Sequence, residues 1–580
     1  MTASPEQTDE KVVPPEEPPL PDDLVLGGAF DPVTREQWQD LVRQVLAKKG
    51  EPPADVEAAL STDVHGVSVR PLYVEADALP SLVIRQGPWD VRALHVDPDN
   101  TEVLTDLEGG ATSLWLVTSD PAPALKDVLL DVAAVALDAG ADFHAAGLKA
   151  LDAGVQLGTL GADPIAVLAR TGTLGSMEDA LDLVSKCDGL GVRAVTVDAL
   201  PFHEAGAADP QQLGLALSAL VHYLRAGVPA DQIELRLGAS ADQFLTIATM
   251  RAARQVWARV LEASGLPSSG LEGGLRLHAV TSWCMTTRRD PWVSMLRGTT
   301  AAFAAGVGGA DAVTVLPFDS ALGRSDAIAR RVARNTSALL TDESHVAAVT
   351  DPARGSWYVE QLTADVARAA WAVFQQIEGA GGVVSGLQDG SVAASLAQSA
   401  AEKQHRLAVR KDAVTGVSEF PFLQEKPVVR KPAGELLHQQ GNGGLPRLRW
   451  AEPYEDLRDR SDAFLAATGA RPAVLAVTTG PPKTFAARLD YVRNLLLPAG
   501  VETVACGADE VPSQVPAVVV LVAADDVEPD TDLCAELRER GAVTLLRAGK
   551  GKDWPVDGYV HIGCDALAVM TKTMSDLGVS

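Results

Sequence analysis

Cysteine and aromatic residues are scarce in this sequence of 580 residues. The five cysteines are widely scattered and show no CxxC spacing, which excludes a disulfide framework or zinc site and favours a reducing cytosol. Aromatic residues make up only 5% of the chain, although hydrophobic residues reach 47%. The core must therefore be built largely from Ala, Val and Leu, a composition that is typical of α/β proteins.

Positive charge is also in short supply. Lys and Arg number 49 against 77 Asp and Glu, which gives a net charge of −28. Nucleic acid and anionic membrane surfaces would repel such a chain, so we expect neither as a partner. Long hydrophobic runs are absent too: no stretch of about 18 apolar residues predicts a membrane span, and no basic segment leads into an apolar run at the N-terminus. We therefore expect a cytoplasmic protein.

The N-terminal segments are expected to lie outside the main domains. Residues 1–24 are rich in Pro, Glu and Asp and predict a disordered acidic tail. Residues 25–69 form an arm that contains a strong amphipathic helix, because Thr34 and Gln37 make a capping box before an apolar stripe. The stripe includes Trp38, Leu41 and Val45. Its partner is either the chain's own main domain or a second chain.

The length predicts two or three domains. Strands alternate with helical stretches in residues 70–400, and eight β/α units of this size predict a TIM (β/α)8 barrel. The predicted strands cover residues 113–117, 128–130 or 135–137, 156–160, 193–198, 233–237, 275–280, 312–317 and 345–350. Two helices are well marked, at 242–260 and 325–340.

A linker at 401–470 is expected to precede a smaller domain at 471–580, where the alternation of strands and helices restarts. The predicted strands are 473–477, 501–505, 517–522, 542–546 and 559–562, with a helix at 484–496. Five strands in so short a segment predict a doubly wound, flavodoxin-like sheet.

One loop carries titratable residues at a position where parallel α/β proteins hold their chemistry. His203 and Glu204 follow a predicted strand directly, and reactive groups in such folds lie beyond the carboxyl ends of the strands. The alternative is that both are solvated loop residues. Asp311 and Asp319 flank another predicted strand and offer a second candidate acid/base pair, although capping or solvated carboxylates explain them equally simply.

Four segments occur in the same order as in a known family. They are 250–257 (MRAARQVW), 333–336 (ARNT), 351–360 (DPARGSWYVE) and 415–421 (TGVSEFP). In this order they resemble the cobalamin-dependent acyl-CoA mutases, and the methylmalonyl-CoA mutase family in particular. Taken singly, each segment is explained by packing: we expect Arg251 and Arg254 to bridge a helix to the barrel and Tyr358 to cap the last strand. The resemblance implies a barrel followed by a cobalamin-binding domain.

The chain departs from the family at its functional residues. Leu200 and Pro201 stand where catalytic chains have a Tyr and the catalytic His, and Leu94 replaces a substrate-contacting Tyr. Trp89 and Arg92, which belong to the same stretch of sequence as Leu94, match the residues of the family. In the small domain the loop that would hold the cobalt-ligating His reads Gly480, Pro481, Pro482, Lys483, and the later loops read 523–525 (AAD) and 547–550 (RAGK). The one His of this domain, His561, is expected to be structural.

These departures resemble the small, non-catalytic subunits of the family. The resemblance implies a heterodimer with a large catalytic subunit, which binds adenosylcobalamin and acyl-CoA and interconverts succinyl-CoA and (R)-methylmalonyl-CoA in propionate metabolism. For this chain it implies no catalytic, cofactor or metal residues of its own, and a subunit contact through Trp38, Leu41 and Val45. The alternatives are a subunit of a mutase with a different acyl specificity, or a regulatory paralogue that senses another ligand.

Overall fold

The computed structural model describes residues 31, 33–74, 84, 85, 87–267, 274–432, 443–550 and 553–579. The acidic segment 1–24 therefore lies outside the described residues. Two compact units are present; the described part of the smaller one lies within 31–62 and 69–72, and the larger one contains 63–68 and the rest of the chain from 73 onward. Among the described helices, none combines the length and the apolar character needed to span a bilayer.

The smaller unit contains the predicted amphipathic helix. Helix α1 (Arg35–Leu46) begins with the predicted capping box, in which Thr34 Oγ1 accepts from the Gln37 amide at 3.3 Å and Gln37 Oε1 accepts from the Thr34 amide at 2.8 Å. A 3-10 turn (Ala47–Lys49) and helix α2 (Val56–Leu60) follow. Arg35 Nε donates to Glu57 Oε1 at 2.7 Å, and this pairing lowers the pKa of Glu57 to about 2. The arm is therefore a defined helical pair.

Two short strands, β1 (Thr62–Val64) and β2 (Val67–Val69), form a two-stranded sheet. The main barrel follows and consists of β3 (Asp90–Val96), β4 (Ser113–Val117), β5 (Ala134–Asp138), β6 (Gly158–Ala162), β7 (Val192–Asp198), β8 (Ile233–Ala239), β9 (Arg276–Thr281) and β10 (Ala312–Thr314). Each strand is parallel to its neighbours, and β10 pairs with β3 to close the barrel. The predicted TIM architecture is confirmed.

One predicted strand of the barrel is absent, and one strand of the barrel was not predicted. The first barrel strand is β3, whereas residues 345–350 follow a π-helical turn (Leu339–Glu343) and form no strand. In that segment His345 has a φ of +52°, the amide of Ala348 bonds back to His345 O, and Val349 is exposed, so the segment turns instead of extending. Of the two alternatives for the second predicted strand, 135–137 is correct, and 128–130 is not a strand.

Strand β6 begins two residues later than predicted, at Gly158. Its φ of +106° favours glycine, and a Cβ there would lie 2.1 Å from the carbonyl oxygen of Val135. The pairing register of β6 with β7 shifts between Thr159 and Ala162. The glycine therefore allows a bulged strand to approach its neighbour closely.

Helices surround the barrel and continue beyond its last strand. They are α3 (Asn100–Glu108), α4 (Phe143–Asp152), α5 (Pro164–Thr171), α6 (Met177–Cys187), α7 (Leu200–Glu204), α8 (Asp209–Arg225), α9 (Gln243–Ala263), α10 (Val293–Val307), α11 (Ala327–Ala338), α12 (Trp357–Gly379), α13 (Gly382–Gln388) and α14 (Ser391–Ala408). Both well-marked helices are confirmed as α9 and α11, and each begins after an Asp, Asp242 or Asp326, whose side chain caps it.

The packing expectations for the family segments hold in part. Arg254 joins α9 to the barrel, because its guanidinium bonds to Leu275 O at 3.0 Å and to Asp311 at 2.8 Å. Arg251 does not reach the barrel strands; it pairs instead with Asp351 at 2.5 Å and with Glu360 of α12 at 2.8 Å. The prediction for Tyr358 is also wrong, since it lies on α12 with its ring 5.2 Å from that of Phe244.

The C-terminal part of the chain forms the predicted second sheet. Its elements are α15 (Glu452–Thr468), β11 (Ala473–Thr478), α16 (Pro482–Leu496), β12 (Glu502–Gly507), β13 (Val518–Val522), α17 (Thr531–Glu539), β14 (Thr544–Ala548), β15 (Gly558–Val560) and α18 (Ala566–Asp576). The parallel strand order β12–β11–β13–β14–β15 is that of a flavodoxin-like sheet, as predicted. Helices cover both faces, with α15, α16 and α18 on one and α17 on the other.

Candidate functional site

Apolar side chains line the carboxyl end of the barrel. Leu94 of β3 and Leu200 of α7, two of the positions where the family carries functional side chains, belong to one hydrophobic cluster. The other members are Trp115, Val117, Ala136, Val280, Val96 and Leu316. Pro201 is buried in α7, which begins one residue before it. None of the side chains at 94, 200 and 201 can donate a hydrogen bond to a substrate carbonyl.

The middle of the barrel is filled by three large side chains. Trp115 is 2% exposed, and the guanidinium carbon of Arg236 lies 4.3 Å from the centroid of its ring. His278 meets the same indole edge-on, with ring centroids 5.5 Å apart. Arg236 Nε donates to His278 Nδ1 at 3.2 Å, and His278 Nε2 bonds to Thr314 Oγ1 at 2.8 Å. Burial, with help from the neighbouring Arg side chains, holds the pKa of His278 well below its ordinary value, so the imidazole is neutral.

A buried charge network joins three barrel strands and a helix. Arg236 Nη1 lies 3.3 Å from Asp138 and 3.2 Å from Asp198, and Arg170 of α5 contacts both carboxylates as well. Burial alone would raise the pKa of Asp138, but the two guanidinium groups outweigh it and hold that pKa below its ordinary value. Both carboxylates are therefore paired with protein cations, which leaves neither of them free to act as a general base.

A second buried ion pair lies nearer the amino end of the barrel. Arg92, retained from the family's substrate-contacting run, donates through Nη1 to Glu234 at 2.7 Å. Both side chains are essentially inaccessible, with 0% and 1% exposed. In this structure Arg92 therefore neutralises a buried carboxylate inside the barrel.

His203 and Glu204 both have protein partners, so the alternative of two solvated loop residues is wrong. His203 Nε2 lies 2.7 Å from Ser282 Oγ, beyond β9, and burial lowers the pKa of the imidazole. Space for the ring depends on Gly238, where a Cβ would lie 2.6 Å from the imidazole. Glu204 binds Arg447 of the linker, with Nε and Oε2 2.6 Å apart. Through these two contacts, His203 and Glu204 of α7 connect the segment after β9 with the linker at this end of the barrel.

Asp311 and Asp319 do not form an acid/base pair. Asp311 precedes β10 and binds Arg254, whereas Asp319 follows the strand and binds Arg430 at 2.5 Å. They therefore lie at opposite ends of the strand. Among the described residues, no group of three or more His, Cys, Asp and Glu side chains is arranged to hold a metal ion.

Residues 443–450 of the linker, which we call the strap, cross the loops at the carboxyl end of the barrel. Three of its amides bond to barrel carbonyls: Leu445 to Ala169 at 2.7 Å, Leu448 to Glu204 at 2.8 Å, and Trp450 to Cys284 at 2.9 Å. The guanidinium of Arg447 lies 3.8 Å from the ring centroid of Trp283. The strap thus binds α5, α7 and the 3-10 turn after β9.

The carboxyl edge of the second sheet is where the family would hold cobalamin. The loop after β11 is short, because α16 begins at Pro482 and not at Thr484 as predicted. Gly480, Pro481, Pro482 and Lys483 offer no imidazole, thiolate or carboxylate for cobalt. His561 lies just after β15 and not on it, with its Nδ1 3.0 Å from Ile562 O. The side chains of the loop after β11 therefore do not fit a corrinoid whose cobalt is held by a protein ligand from this loop.

A parallel barrel joined by a strap to a flavodoxin-like sheet is the architecture expected for the cobalamin-dependent acyl-CoA mutases. Comparison with known proteins agrees. The family model described as methylmalonyl-CoA mutase matches residues 156–446. The chain is 46% identical over 622 aligned positions to the methylmalonyl-CoA mutase small subunit of Streptomyces virginiae, covering 97% of this chain and 100% of that protein.

Two further relatives differ in the extent of their match. The methylmalonyl-CoA mutase small subunit of Propionibacterium freudenreichii subsp. shermanii is 34% identical over 97% of each chain. The methylmalonyl-CoA mutase of Escherichia coli K12 is 32% identical over 43% of this chain and 36% of its own length. The chain belongs to the methylmalonyl-CoA mutase family.

Sequence reasoning missed the side chains that fill the barrel and the strap that crosses it. Asp90–Val96 alternates Val91 and Ala93 with polar residues, a strand signal that the family resemblance obscured. The network of Arg236 with Asp138 and Asp198 joins residues far apart in sequence, and no local pattern marks it. Arg447 carried no signal of its own, since a basic residue in a linker is ordinarily solvated.

Proposed function

We propose that this chain is the small, non-catalytic subunit of a heterodimeric methylmalonyl-CoA mutase that interconverts succinyl-CoA and (R)-methylmalonyl-CoA in propionate metabolism. The names of its full-length relatives support the subunit assignment. In this proposal the large subunit binds adenosylcobalamin, which supplies the radical chemistry, and the acyl-CoA. The small subunit stabilises that partner. A cytoplasmic location suits five cysteines that are all free thiols.

The observation that carries the proposal is the apolar cluster around Leu94 and Leu200. General acid catalysis needs a titratable group within hydrogen-bond reach of the substrate, and stabilisation of developing charge needs oriented donors. Leu94, Leu200 and Pro201 supply neither. The carboxylates that end β5 and β7, Asp138 and Asp198, are bound by arginines.

The second sheet supports the same proposal. A protein that coordinates cobalt from below needs a side chain with a lone pair in the loop after β11, and here α16 starts at Pro482 directly after Pro481. We therefore propose that this chain holds no corrinoid and that the coenzyme of the heterodimer belongs to the large subunit.

Helix α1 is the segment that we assign to the subunit contact. Leu41 is 58% exposed, Val45 is 62% exposed, and Trp38 is only half-buried, so the apolar stripe is available to another surface. Aromatic residues such as Trp38 frequently anchor protein interfaces. The capping box and the Arg35–Glu57 pair hold the helix in shape before it binds, which limits the ordering cost of association.

The test compares the isolated chain, an isolated large subunit from a relative's operon, and the two together. We expect no turnover of succinyl-CoA by this chain with added adenosylcobalamin, and no bound corrinoid in its visible spectrum after desalting. Turnover should appear only when the large subunit is present. Stoichiometric corrinoid retained by the isolated chain with its lower base displaced, or turnover without the partner, would contradict the proposal.

A further inference from the structure

An arginine is buried at the carboxyl edge of the second sheet without a full set of partners. Arg547 lies near the end of β14 and is 0% exposed. Its Nη2 donates to Ala524 O, beyond β13, at 2.9 Å. Among the described residues, its Nε and Nη1 find no hydrogen-bond acceptor. Since a buried guanidinium normally has its donors satisfied, this arginine lacks an acceptor.

The neighbouring aromatic residue shows the same deficit. The ring centroid of Trp554 lies 5.0 Å from the guanidinium carbon of Arg547. Trp554 is 6% exposed, and within the described chain its indole Nε1 is also buried without an acceptor. Burial lowers the pKa of Arg547, because the charged form is desolvated. Three unsatisfied groups at one place are all donors, so the missing partner is an acceptor.

Arg547 is one of two guanidinium groups that converge over Gly549. A Cβ at this glycine, whose φ is +117°, would lie 2.9 Å from Asp525 Oδ1, 3.4 Å from Arg547 Nη1 and 3.5 Å from Arg488 Nε. Arg488, on α16, is ion-paired with Asp525. One carboxylate therefore lies between two arginines, at a point where the absence of a side chain leaves the backbone accessible.

The position in the fold favours an anion as well. Strand order reverses between β11 and β13, and ligands of doubly wound sheets bind outside the carboxyl ends of the strands at that point. Helix α16 begins here at Pro482, and the side chain of its N-cap residue, Pro481, carries no acceptor for the first amides. Its positive dipole end attracts negative charge. Two lysines are close in sequence to these residues: Lys483 follows Pro482, and Lys550 follows Gly549.

We propose that this edge binds a phosphate group of a small phosphorylated ligand through Arg547 and Arg488, and that Asp525 occupies the phosphate position when the ligand is absent. A carboxylate offers one negative charge and two oxygens, whereas a phosphate offers up to two charges and three oxygens to two guanidinium forks. A phosphate dianion therefore displaces Asp525. A carboxylate ligand would not displace it, because its charge and its number of oxygens equal those of the Asp525 side chain. Because the Asp525 side chain is 58% exposed, its displacement opens a path to Arg547 Nη1.

The test titrates the full-length chain with inorganic pyrophosphate by calorimetry, at constant ionic strength maintained with sodium chloride. We expect saturable one-to-one binding that becomes about tenfold weaker or more in Arg488→Gln and in Arg547→Met, because each loses a charge-assisted contact. Arg493→Gln is the matched control: it lies on the same helix, pairs with Asp490 and should bind like the wild type.

The variant Asp525→Asn distinguishes a phosphate site occupied by Asp525 from a purely structural role of this carboxylate. If Asp525 occupies the phosphate position, its removal tightens pyrophosphate binding; if the carboxylate merely completes an ion-pair cluster, its removal brings no gain. Hydrogen exchange with pyrophosphate should slow at residues 479–488 and 523–527. Should Arg547→Met fail to fold, Arg488→Gln and Asp525→Asn still decide the question.

No saturable heat with wild-type protein, equal weakening in Arg493→Gln, or unchanged or weaker binding in Asp525→Asn would overturn the proposal. The site is independent of the subunit role proposed above. Loss of pyrophosphate binding leaves assembly with the large subunit intact, and loss of assembly leaves pyrophosphate binding intact, so the two proposals fail separately.

Discussion

At three positions an apolar side chain stands where the family has a polar functional group. Leu94 and Leu200 face the interior cluster around Trp115, and Pro201 is buried in α7. Side chains of this kind contribute through packing, and volume-conserving replacements in a packed core usually cost less than about 1.5 kcal/mol. Their contribution to the heterodimer is therefore expected to be structural.

The first prediction concerns these positions. Pro201→Ala and Leu94→Met should leave the turnover of the assembled heterodimer unchanged within about twofold, because neither residue donates a hydrogen bond or a proton. Removal of a true general acid typically lowers the rate by about 10²-fold or more. The assay uses complexes purified by size-exclusion chromatography, so that assembly is controlled. A drop of that size in an intact Pro201→Ala complex would mean that this barrel takes part in catalysis.

The second prediction concerns the buried pair of Arg92 and Glu234. Arg92→Met leaves a buried carboxylate without its closest cation, which should destabilise the chain by about 3–5 kcal/mol. Arg259→Met provides the control: its partner Glu262 is 64% exposed, and such surface pairs contribute about 1 kcal/mol or less. Urea unfolding midpoints measure both effects.

The pH dependence of the Arg92→Met defect has a definite sign. In the wild type, burial would raise the pKa of Glu234, but Arg92 and nearby arginines hold it below its ordinary value. That contribution is present above the unfolded pKa of about 4.3 and is lost as pH falls through the lower folded pKa. In Arg92→Met burial is less opposed, so the carboxyl protonates more easily. The difference in the free energy of unfolding between the wild type and Arg92→Met should therefore become smaller as the pH falls from about 7 to about 5. A difference that stays constant over this range would contradict this account.

Individual residues differed in how far the sequence predicted their roles. The missing donors at 94 and 201 and the missing cobalt ligand at 480–483 follow from side-chain identity alone. The partners of His203 and Glu204 did not follow, because Ser282 and Arg447 reach them from 79 and 243 residues away. Such contacts depend on the closure of the barrel and on the path of the strap, and a local sequence pattern encodes neither.

At the scale of single elements, the sequence pattern identified most strands and placed four helices, α1, α9, α11 and α16. Helix α1 was recognisable from its capping box and its 3.6-residue apolar period. The alternation in Asp90–Val96 was overlooked, and the β-branched residues in 345–350 were misread as a strand, because composition alone does not distinguish an exposed turn from a buried strand. Boundaries at Gly158 and Pro482 shifted by two residues because glycine and proline act through backbone geometry.

The third prediction concerns helix α1. A chain that starts near Pro52 should bind the large subunit more weakly while its circular dichroism shows a folded barrel, because the apolar stripe is lost. Trp38→Ala combined with Leu41→Ala should raise the dissociation constant, and Gln44→Ala, an exposed position away from the stripe, is the matched control. Co-elution with the large subunit and titration by interferometry provide the measurements. A truncated chain that binds as tightly as the full one would refute the assignment of α1 to the interface.

At the scale of the whole molecule, the barrel and the second sheet are joined by more than a flexible linker. The strap lies on the barrel loops, and Arg288 and Arg289 of the barrel pair with Glu455 and Asp462 of α15 at 3.1 Å and 2.7 Å. Linker residues, among them Val414 and Val417, also belong to the hydrophobic core of the second sheet. The two domains therefore share contacts that hold them together.

The fourth prediction tests the strap. Arg447→Leu removes both the ion pair with Glu204 and the stacking on Trp283, so the amides of Leu448 and Trp450 should exchange about tenfold faster or more. Arg368→Leu is the control, since Arg368 is 69% exposed and, within the described part of the chain, forms an ion pair only with Asp365 on its own helix. Hydrogen exchange of peptides covering 443–450 measures the effect. Unchanged exchange in Arg447→Leu would mean that the backbone bonds alone hold the strap.

The side chains that fill the barrel also bear on how the two subunits respond to nutrition. A protein that binds a ligand only when folded becomes more stable as that ligand becomes more abundant. In the heterodimer proposed above, the coenzyme belongs to the large subunit, and buried Trp115, Arg236 and His278 already pack together inside this barrel. We therefore propose that the folded state of this chain gains no stability from the coenzyme. We expect its abundance in the cell to be indifferent to vitamin B12 supply, whereas a subunit that depends on the coenzyme would rise and fall with it. Under vitamin scarcity this chain would accumulate in excess and be ready to capture each large subunit as it folds.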